Sequence, residues 1–116
     1  MTEPSVFTQI INRELPATIH YEDDLCIVIS DINPKAPLHL LIIPKEPIVR
    51  LGEADRSQQS LLGHLLLVAG EVAREKGVGE AFRMIVNNGK GAGELIPHLH
   101  LHLLAGKDLS KDELGF

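Results

Sequence analysis

Residues 97–104 read Pro-His-Leu-His-Leu-His-Leu-Leu, an unbroken alternation of imidazole and leucine. Successive side chains of an extended strand point to opposite faces. His98, His100 and His102 therefore share one side, and Leu99, Leu101 and Leu103 share the other. The leucine side requires a hydrophobic layer to cover it. The histidine side is not core material, and a solvated strand face ordinarily carries Thr, Lys or Glu rather than three imidazoles. Such a chain must place a sheet between a core and a site of chemistry.

The remaining segments supply that sheet. Val6, Phe7, Ile10 and Ile11 recur at helical spacing and predict a short amphipathic helix near residues 5–12, ending before Pro16. Residues 19–21 and 25–29 are rich in β-branched side chains and flank the acidic turn Glu22-Asp23-Asp24, which reads as a hairpin. Residues 31–37 form a proline-shaped loop, and Leu38 to Ile43 a third strand stopped by Pro44. Asp55 with Gln58 resembles a capping box opening the longest helix, about 57–76, which Gly77 ends. Leu61, Leu62, Leu65, Ala69, Val72 and Ala73 make its inner stripe, while Leu66, Leu67 and Val68 extend the apolar surface beyond one face. That helix is expected to be covered twice, by its sheet and by a partner. Phe82 to Asn87 and Pro97 to Leu104 read as the fourth and fifth strands. Helices do not alternate regularly with strands, so the expected class is α+β with an antiparallel sheet.

A chain of 116 residues without linker, repeat or low-complexity tract suits one domain, and at this size association helps stability. The formal net charge of −5 argues against a general nucleic-acid or membrane-surface binder. No apolar run reaches the ~18 residues that span a bilayer. The stretch Met1 to Ser5 has neither the basic nor the apolar region of a signal peptide. Cys26 is the sole cysteine, so no intramolecular disulfide forms, and a cytoplasmic location is expected.

Two chemistries suit the histidine face. Imidazole is the commonest metal ligand, but at ~3.3 Å per residue His98 and His102 stand about 13 Å apart, too far for one ion without a sharp bend. A further ligand would have to come from His39, His64, an acid or water. Alternatively one neutral imidazole is a nucleophile toward phosphorus, its second nitrogen fixed by a hydrogen bond; the middle histidine is best placed for that. The preceding loop, Asn87-Asn88-Gly89-Lys90-Gly91-Ala92-Gly93, is either a plain turn or a cradle whose amides meet a phosphate; beside three aligned histidines the cradle is favoured. Asn87 offers an amide donor or a turn cap. Asp31 suits ribose hydroxyls or an Asx turn, and His39 a structural place or a hydrogen bond to a catalytic imidazole. His20 and His64 read as surface or core positions, Cys26 as core, and Asp23-Asp24 as a solvated turn.

The segment from His98 to Leu104 resembles the His-φ-His-φ-His-φ-φ signature of the histidine triad (HIT) proteins, and the similarity is closest to the Hint branch, the histidine triad nucleotide-binding proteins. It extends through residues 7–17, Tyr21-Glu-Asp-Asp, Asp31-Ile-Asn-Pro-Lys-Ala-Pro-Leu-His39 and Leu41-Ile-Ile-Pro-Lys45. The resemblance implies a single HIT domain over 1–116, with a core of about 5–106 and a short tail 107–116. It implies a five-stranded antiparallel sheet with two helices, paired through the long helix and an edge strand into a homodimer with a ten-stranded sheet. It further implies hydrolysis of purine nucleoside phosphoramidates of the AMP-amine type, with AMP- or GMP-like nucleotides as ligands and neither metal nor other cofactor. By that analogy His100 attacks phosphorus, His98 and His102 orient it and assist proton movement, and His39 supports the cluster. Asp31 would hold the ribose, Phe7, Ile10, Ile29 and Ile32 would line the base pocket, and Asn87 and Gly93 would face the phosphate. Leu95 and Ile96 complete the implied nucleotide-binding set.

Three departures stand out. Where relatives commonly carry Gln followed by Ser or Thr, this chain has Glu94-Leu95, which removes a hydroxyl donor and predicts a lower rate or a shifted leaving-group preference. Ser5 and Thr8 occupy the region where many bacterial members carry zinc-binding cysteines, so no zinc is expected. The tail from Gly106 lacks the tryptophan-containing end of some eukaryotic members. The alternatives are a nucleotide-binding module with weak turnover and a dinucleoside polyphosphate hydrolase. A nucleotidyltransferase is disfavoured by Leu101, where those relatives place proline.

Overall fold

The computed structural model describes residues 5–111. The expectations for Met1 to Pro4 and for the last five residues of the tail lie outside the described residues. The chain runs α1 (Val6–Ile11), β1 (Ile19–Glu22), β2 (Cys26–Ser30), β3 (Leu38–Pro44), α2 (Gln59–Glu75), β4 (Phe82–Ile85) and β5 (Leu101–Ala105). The strands form one antiparallel sheet in the order β1-β2-β3-β5-β4, the α+β arrangement expected.

Period-two alternation divides the sheet into two different faces. Cys26, Val28, Leu40, Ile42, Leu101 and Leu103 pack beneath Leu65, Val68, Ala69, Val72 and Ala73 of α2. Ile27, Ile29, Leu41 and Ile43 point the other way and meet Phe7 and Ile10 of α1. A slip of one residue in any strand would exchange these sets, so the apolar pattern fixes the register. The leucines of the alternating segment, Leu99, Leu101 and Leu103, all enter the α2 core as expected. Val68 belongs to this inner stripe as well, whereas Leu66 and Leu67 are 59% and 68% exposed.

The capping box forms: the Asp55 side chain accepts the Ser57 amide and the Gln58 side chain accepts the Asp55 amide, at 2.8 and 2.9 Å. It opens a 3-10 turn, Arg56–Gln58, and the α-helix proper follows at Gln59. Gly77 ends the helix with φ of 79°, a left-handed conformation that favours glycine.

Two strands are shorter than the sequence predicts. β4 stops at Ile85 rather than Asn87, and β5 begins at Leu101 rather than Pro97. The cause at β5 is local. Pro97 has no N–H to give, the His98 amide turns back to the Ile96 carbonyl at 2.8 Å, and the Leu99 amide goes to the Ile48 carbonyl at 2.7 Å. The alternation of faces survives although the ladder does not.

Asp23 also departs from expectation. Asp24 is exposed as a solvated turn should be, but Asp23 is half-buried. Its Oδ1 accepts the amides of Leu25 and Cys26 at 2.8 and 2.9 Å, and its Oδ2 accepts the Tyr21 hydroxyl and pairs with His64 Nε2, each at 2.6 Å. Burial acts to raise the Asp23 carboxyl, but the bonds from Tyr21, His64 and the two amides outweigh it and hold it well below the usual carboxylate range. The hairpin turn is thereby fastened to α2. Among the described residues no helix is long and apolar enough to cross a membrane.

Leu65 is fully buried between α2 and the sheet. Leu65→Ala is expected to lower folding stability by about 2–5 kcal/mol, measured as a reduced urea midpoint with an unchanged m-value.

Candidate active site

Four buried imidazoles, His39, His98, His100 and His102, gather on the α1 side of the sheet. β3 carries His39 and β5 carries His102; His39 pairs across the ladder with Leu104, and His102 with Leu41. His98 and His100 lie in the unladdered approach to β5, where Phe7 of α1 meets their rings edge-on at centroid distances of 5.9 and 4.9 Å. The His100 and His102 rings stand 5.0 Å apart.

Backbone groups fix where the protons sit. The Lys35 amide can only donate, and it points at His39 Nδ1 at 3.0 Å, so the neutral His39 carries its proton on Nε2. That Nε2–H donates to His102 Nδ1 at 2.9 Å, with Asp31 Oδ2 at 3.3 Å from the same nitrogen. His102 consequently holds its own proton on Nε2. The His98 carbonyl can only accept, and His100 Nδ1 lies 2.7 Å from it. Neutral His100 therefore keeps a lone pair on Nε2. His98 is occupied at both nitrogens: Nε2–H donates to the Pro44 carbonyl at 2.8 Å, and Nδ1 accepts the Ser5 hydroxyl at 2.8 Å.

Burial reinforces the neutral forms. It pushes His98 below the ordinary histidine value, against the raising effect of the Pro44 carbonyl. It likewise lowers His39, although Asp31 opposes the change. His102 falls to about 4, through burial first and then the charges of His100 and His39.

The residues expected to hold a nucleotide are placed as follows. Phe7, Ile10 and Ile29 form the apolar cluster beside the histidines, with Ile96 packed against it. Ile10 also lines an open cleft of about 350 Å³ with Arg13, Leu15 and Ile19. Ile32 stands 91% exposed, outside that cluster. Asp31 makes an Asx turn, its Oδ1 accepting the Asn33 amide at 2.8 Å, while Oδ2 faces His39. Asn87 is half-buried beyond the end of β4. Gly93 takes a left-handed conformation with φ of 96°, closing a short 3-10 turn over Lys90–Ala92. Leu95 is 92% exposed.

Two contributors escaped the sequence reading. Ser5 caps α1 by accepting the Thr8 amide at 3.1 Å and also holds His98, so one hydroxyl joins helix to histidine. Arg50 pairs with Glu94 at 2.9 Å beside the glycine loop. The only hint of Ser5 was its N-cap position. The other pair spans 44 residues and leaves no local signal.

Among the described residues, two groups bring three metal-ligating atoms within 4.8 Å of one another: Asp23 with Cys26 and His64, and Asp31 with His39 and His102. In the second group, the His39 Nε2–H lies between His39 and His102, and a cation there would have to replace that proton. In the first, burial and the nearby Asp23 push the Cys26 thiol up to about 12, which disfavours the thiolate a metal needs.

This sheet, with its histidine run entering β5 between β3 and β4, is the framework of a histidine-triad domain. The HIT domain profile matches residues 12–109, and the chain belongs to the HIT family. An uncharacterised HIT-like protein of Synechocystis is 51% identical over 110 residues, covering 95% of this chain and 96% of its own. The HIT family hydrolase of Clostridium thermocellum superposes with a TM-score of 0.89 at 46% identity, covering 94% and 96% of the two chains. A 14 kDa zinc-binding protein of Zea mays is 38% identical over 109 residues, 92% of this chain and 85% of its own.

His39, His98 and His102 give the fold a pH dependence whose sign follows from their lowered values. The unfolded chain binds protons at the ordinary value of 6.5, whereas folded His102 resists them down to about 4. Stability should therefore fall as pH drops through this window, because the unfolded state takes up more protons. Thermal melts across the window should show that loss, and His102→Gln should flatten it.

Proposed function

We propose that this chain hydrolyses purine nucleoside 5′-phosphoramidates, without a metal, through a nucleotidyl-histidine intermediate on His100. One observation carries the reading: His100 Nδ1 is spent on the His98 carbonyl, which leaves the Nε2 lone pair as the reactive position, on a ring 5.0 Å from that of His102. Hint-like relatives and a cytoplasmic setting fit this assignment, and the hydrolase among the similar structures supports the reaction class.

In the proposed sequence, His100 Nε2 attacks the α-phosphorus and the bond from phosphorus to the amine breaks. The leaving nitrogen takes a proton from solvent, while the His102 Nε2–H donates a hydrogen bond toward the reacting group. The positive charge on the nucleotidyl imidazolium is steadied by the His98 carbonyl at Nδ1. Water then attacks the same phosphorus, the bond to Nε2 breaks, and the nucleoside monophosphate leaves as the water proton returns to solvent. His98, engaged at both nitrogens, positions rather than exchanges protons. His39 holds His102, Asp31 Oδ2 lies against His39, and Asp31 would meet the ribose hydroxyls. Phe7, Ile10, Ile29 and Ile96 would receive the purine, with Ile32 folding over it from the surface. Asn87 and the amides around Gly93 would meet the phosphate.

A homodimer is part of the same reading. β4 is a sheet edge, and the exposed Leu66 and Leu67 lie on α2, so pairing of two copies would cover both and extend the sheet to ten strands.

An adenosine phosphoramidate bearing a fluorescent amine tests the chemistry. The wild type should release the amine, His100→Ala should lose about 10³-fold or more in kcat, and a strong chelator should change nothing. Equal rates for the two proteins would remove the nucleophile assignment. Leu95→Ser, which restores a hydroxyl donor, should raise the rate up to about tenfold, read in the same assay.

A further inference from the structure

Glu94 is the one acidic side chain among the buried residues described, only 5% exposed, and it follows the left-handed Gly93. Its Oε1 accepts the Gly89 amide and Arg50 Nε, each at 3.3 Å, and its Oε2 accepts Arg50 Nη2 at 2.9 Å. The Glu94 amide in turn donates to the Gly89 carbonyl at 3.1 Å. Gly89 and Glu94 thus close the glycine loop on itself through backbone and side chain together. Arg50 also reaches Glu53, which leaves its guanidinium paired on two sides.

Arg50 lies in the connection after β3, where Pro44 holds the His98 ring and Ile48 holds the Leu99 amide. One stretch of backbone therefore grips the loop and the histidine segment together. The Arg50 guanidinium holds the Glu94 carboxyl below the usual range against the opposing effect of burial, helped by the Gly89 amide. The carboxylate therefore stays charged against the glycine loop that the nucleotide reading gives to the phosphate. An anionic substrate docking there would meet like charge unless that carboxylate were neutralised.

We propose that Arg50 is a positioning residue of the site: paired with Glu94, it neutralises the carboxylate against the glycine loop and keeps the Gly89–Glu94 loop in the shape that admits a phosphate. This inference rests on the nucleotide-hydrolase reading. It predicts that Arg50 matters to the phosphate of a ligand and not to its nucleoside.

The test measures AMP and adenosine affinity by calorimetry, with phosphoramidate kcat/KM, for wild type, Arg50→Gln, Glu94→Gln and the double variant. Arg50→Gln should weaken AMP about tenfold or more, chiefly raising KM in turnover, and change adenosine by less than about twofold. The double variant should regain AMP affinity to within about threefold of wild type, because neither charge then remains unpaired. An Arg50→Gln protein that binds AMP like the wild type overturns the proposal. Equal losses of AMP and adenosine do so too, and so does a double variant no better than the single. If Arg50→Gln fails to fold, Arg50→Lys keeps the charge without the two-pronged grip and should show intermediate AMP affinity; full affinity there overturns the proposal. A wild type that binds AMP but does not cleave the adenosine phosphoramidate ends the hydrolase reading while the AMP–adenosine comparison still decides the role of Arg50. A wild type that does not bind AMP ends both.

Discussion

The proton positions of the histidine cluster follow from backbone groups that can act in only one sense. A buried neutral imidazole has one donor and one acceptor, and it must find the complementary group at each. The Lys35 amide assigns His39, His39 assigns His102, and the carbonyls of Pro44 and His98 assign His98 and His100. No side chain has to choose a tautomer. The result is an unprotonated nitrogen on His100 and a protonated one on His102, on rings 5.0 Å apart, the polarity that suits the proposed nucleophile and a hydrogen-bond donor near it. Moving the Lys35 amide would reverse the relay from His39 onward, so the proline-shaped loop before β3 bears directly on the chemistry of β5.

That polarity depends on burial. Water would solvate both ring nitrogens and erase the distinction between tautomers, and it would let the rings charge near neutrality. The sheet excludes it by giving the histidines their own covering element, α1, on the face opposite α2. Ser5 is well suited to the junction because a hydroxyl both accepts and donates: it takes the Thr8 amide at the helix N-terminus and gives its own proton to His98. Placement of α1 and orientation of His98 are a single interaction seen from two sides.

Elements whose signal is periodic were legible in the sequence. The hairpin, β3, α2 and the split of leucines from histidines all follow from spacing, since each residue reports its own face. The early end of β4 and the late start of β5 were not legible, because ladder bonding depends on which carbonyl an amide meets: that of Ile48, for Leu99, is supplied from a distant connection. Asp23 was misread for a similar reason. An acidic pair in a turn looks solvated until Tyr21 and His64 arrive from a strand and a helix. The candidate site divides the same way. Its histidines and Asp31 announce themselves by type and position, whereas Arg50 has no neighbour in sequence that would mark it as a partner of Glu94.

The pair also explains why an acid can be tolerated at a position where the family resemblance leads one to expect Gln. A glutamine there accepts an amide without introducing charge. A glutamate accepts it more strongly but adds a negative charge close to where an anion would dock. Only a compensating cation makes the exchange neutral, and the bonds from Arg50 Nε and Nη2 supply it with directional geometry that a lysine would lack. Arg50 comes from the connection that follows Pro44 and contains Ile48, the residues that hold His98 and Leu99, so the compensation is tied by a short stretch of chain to the histidine segment. On the proposed reading, a change that loosens the grip at Glu94 would act on His100 through position.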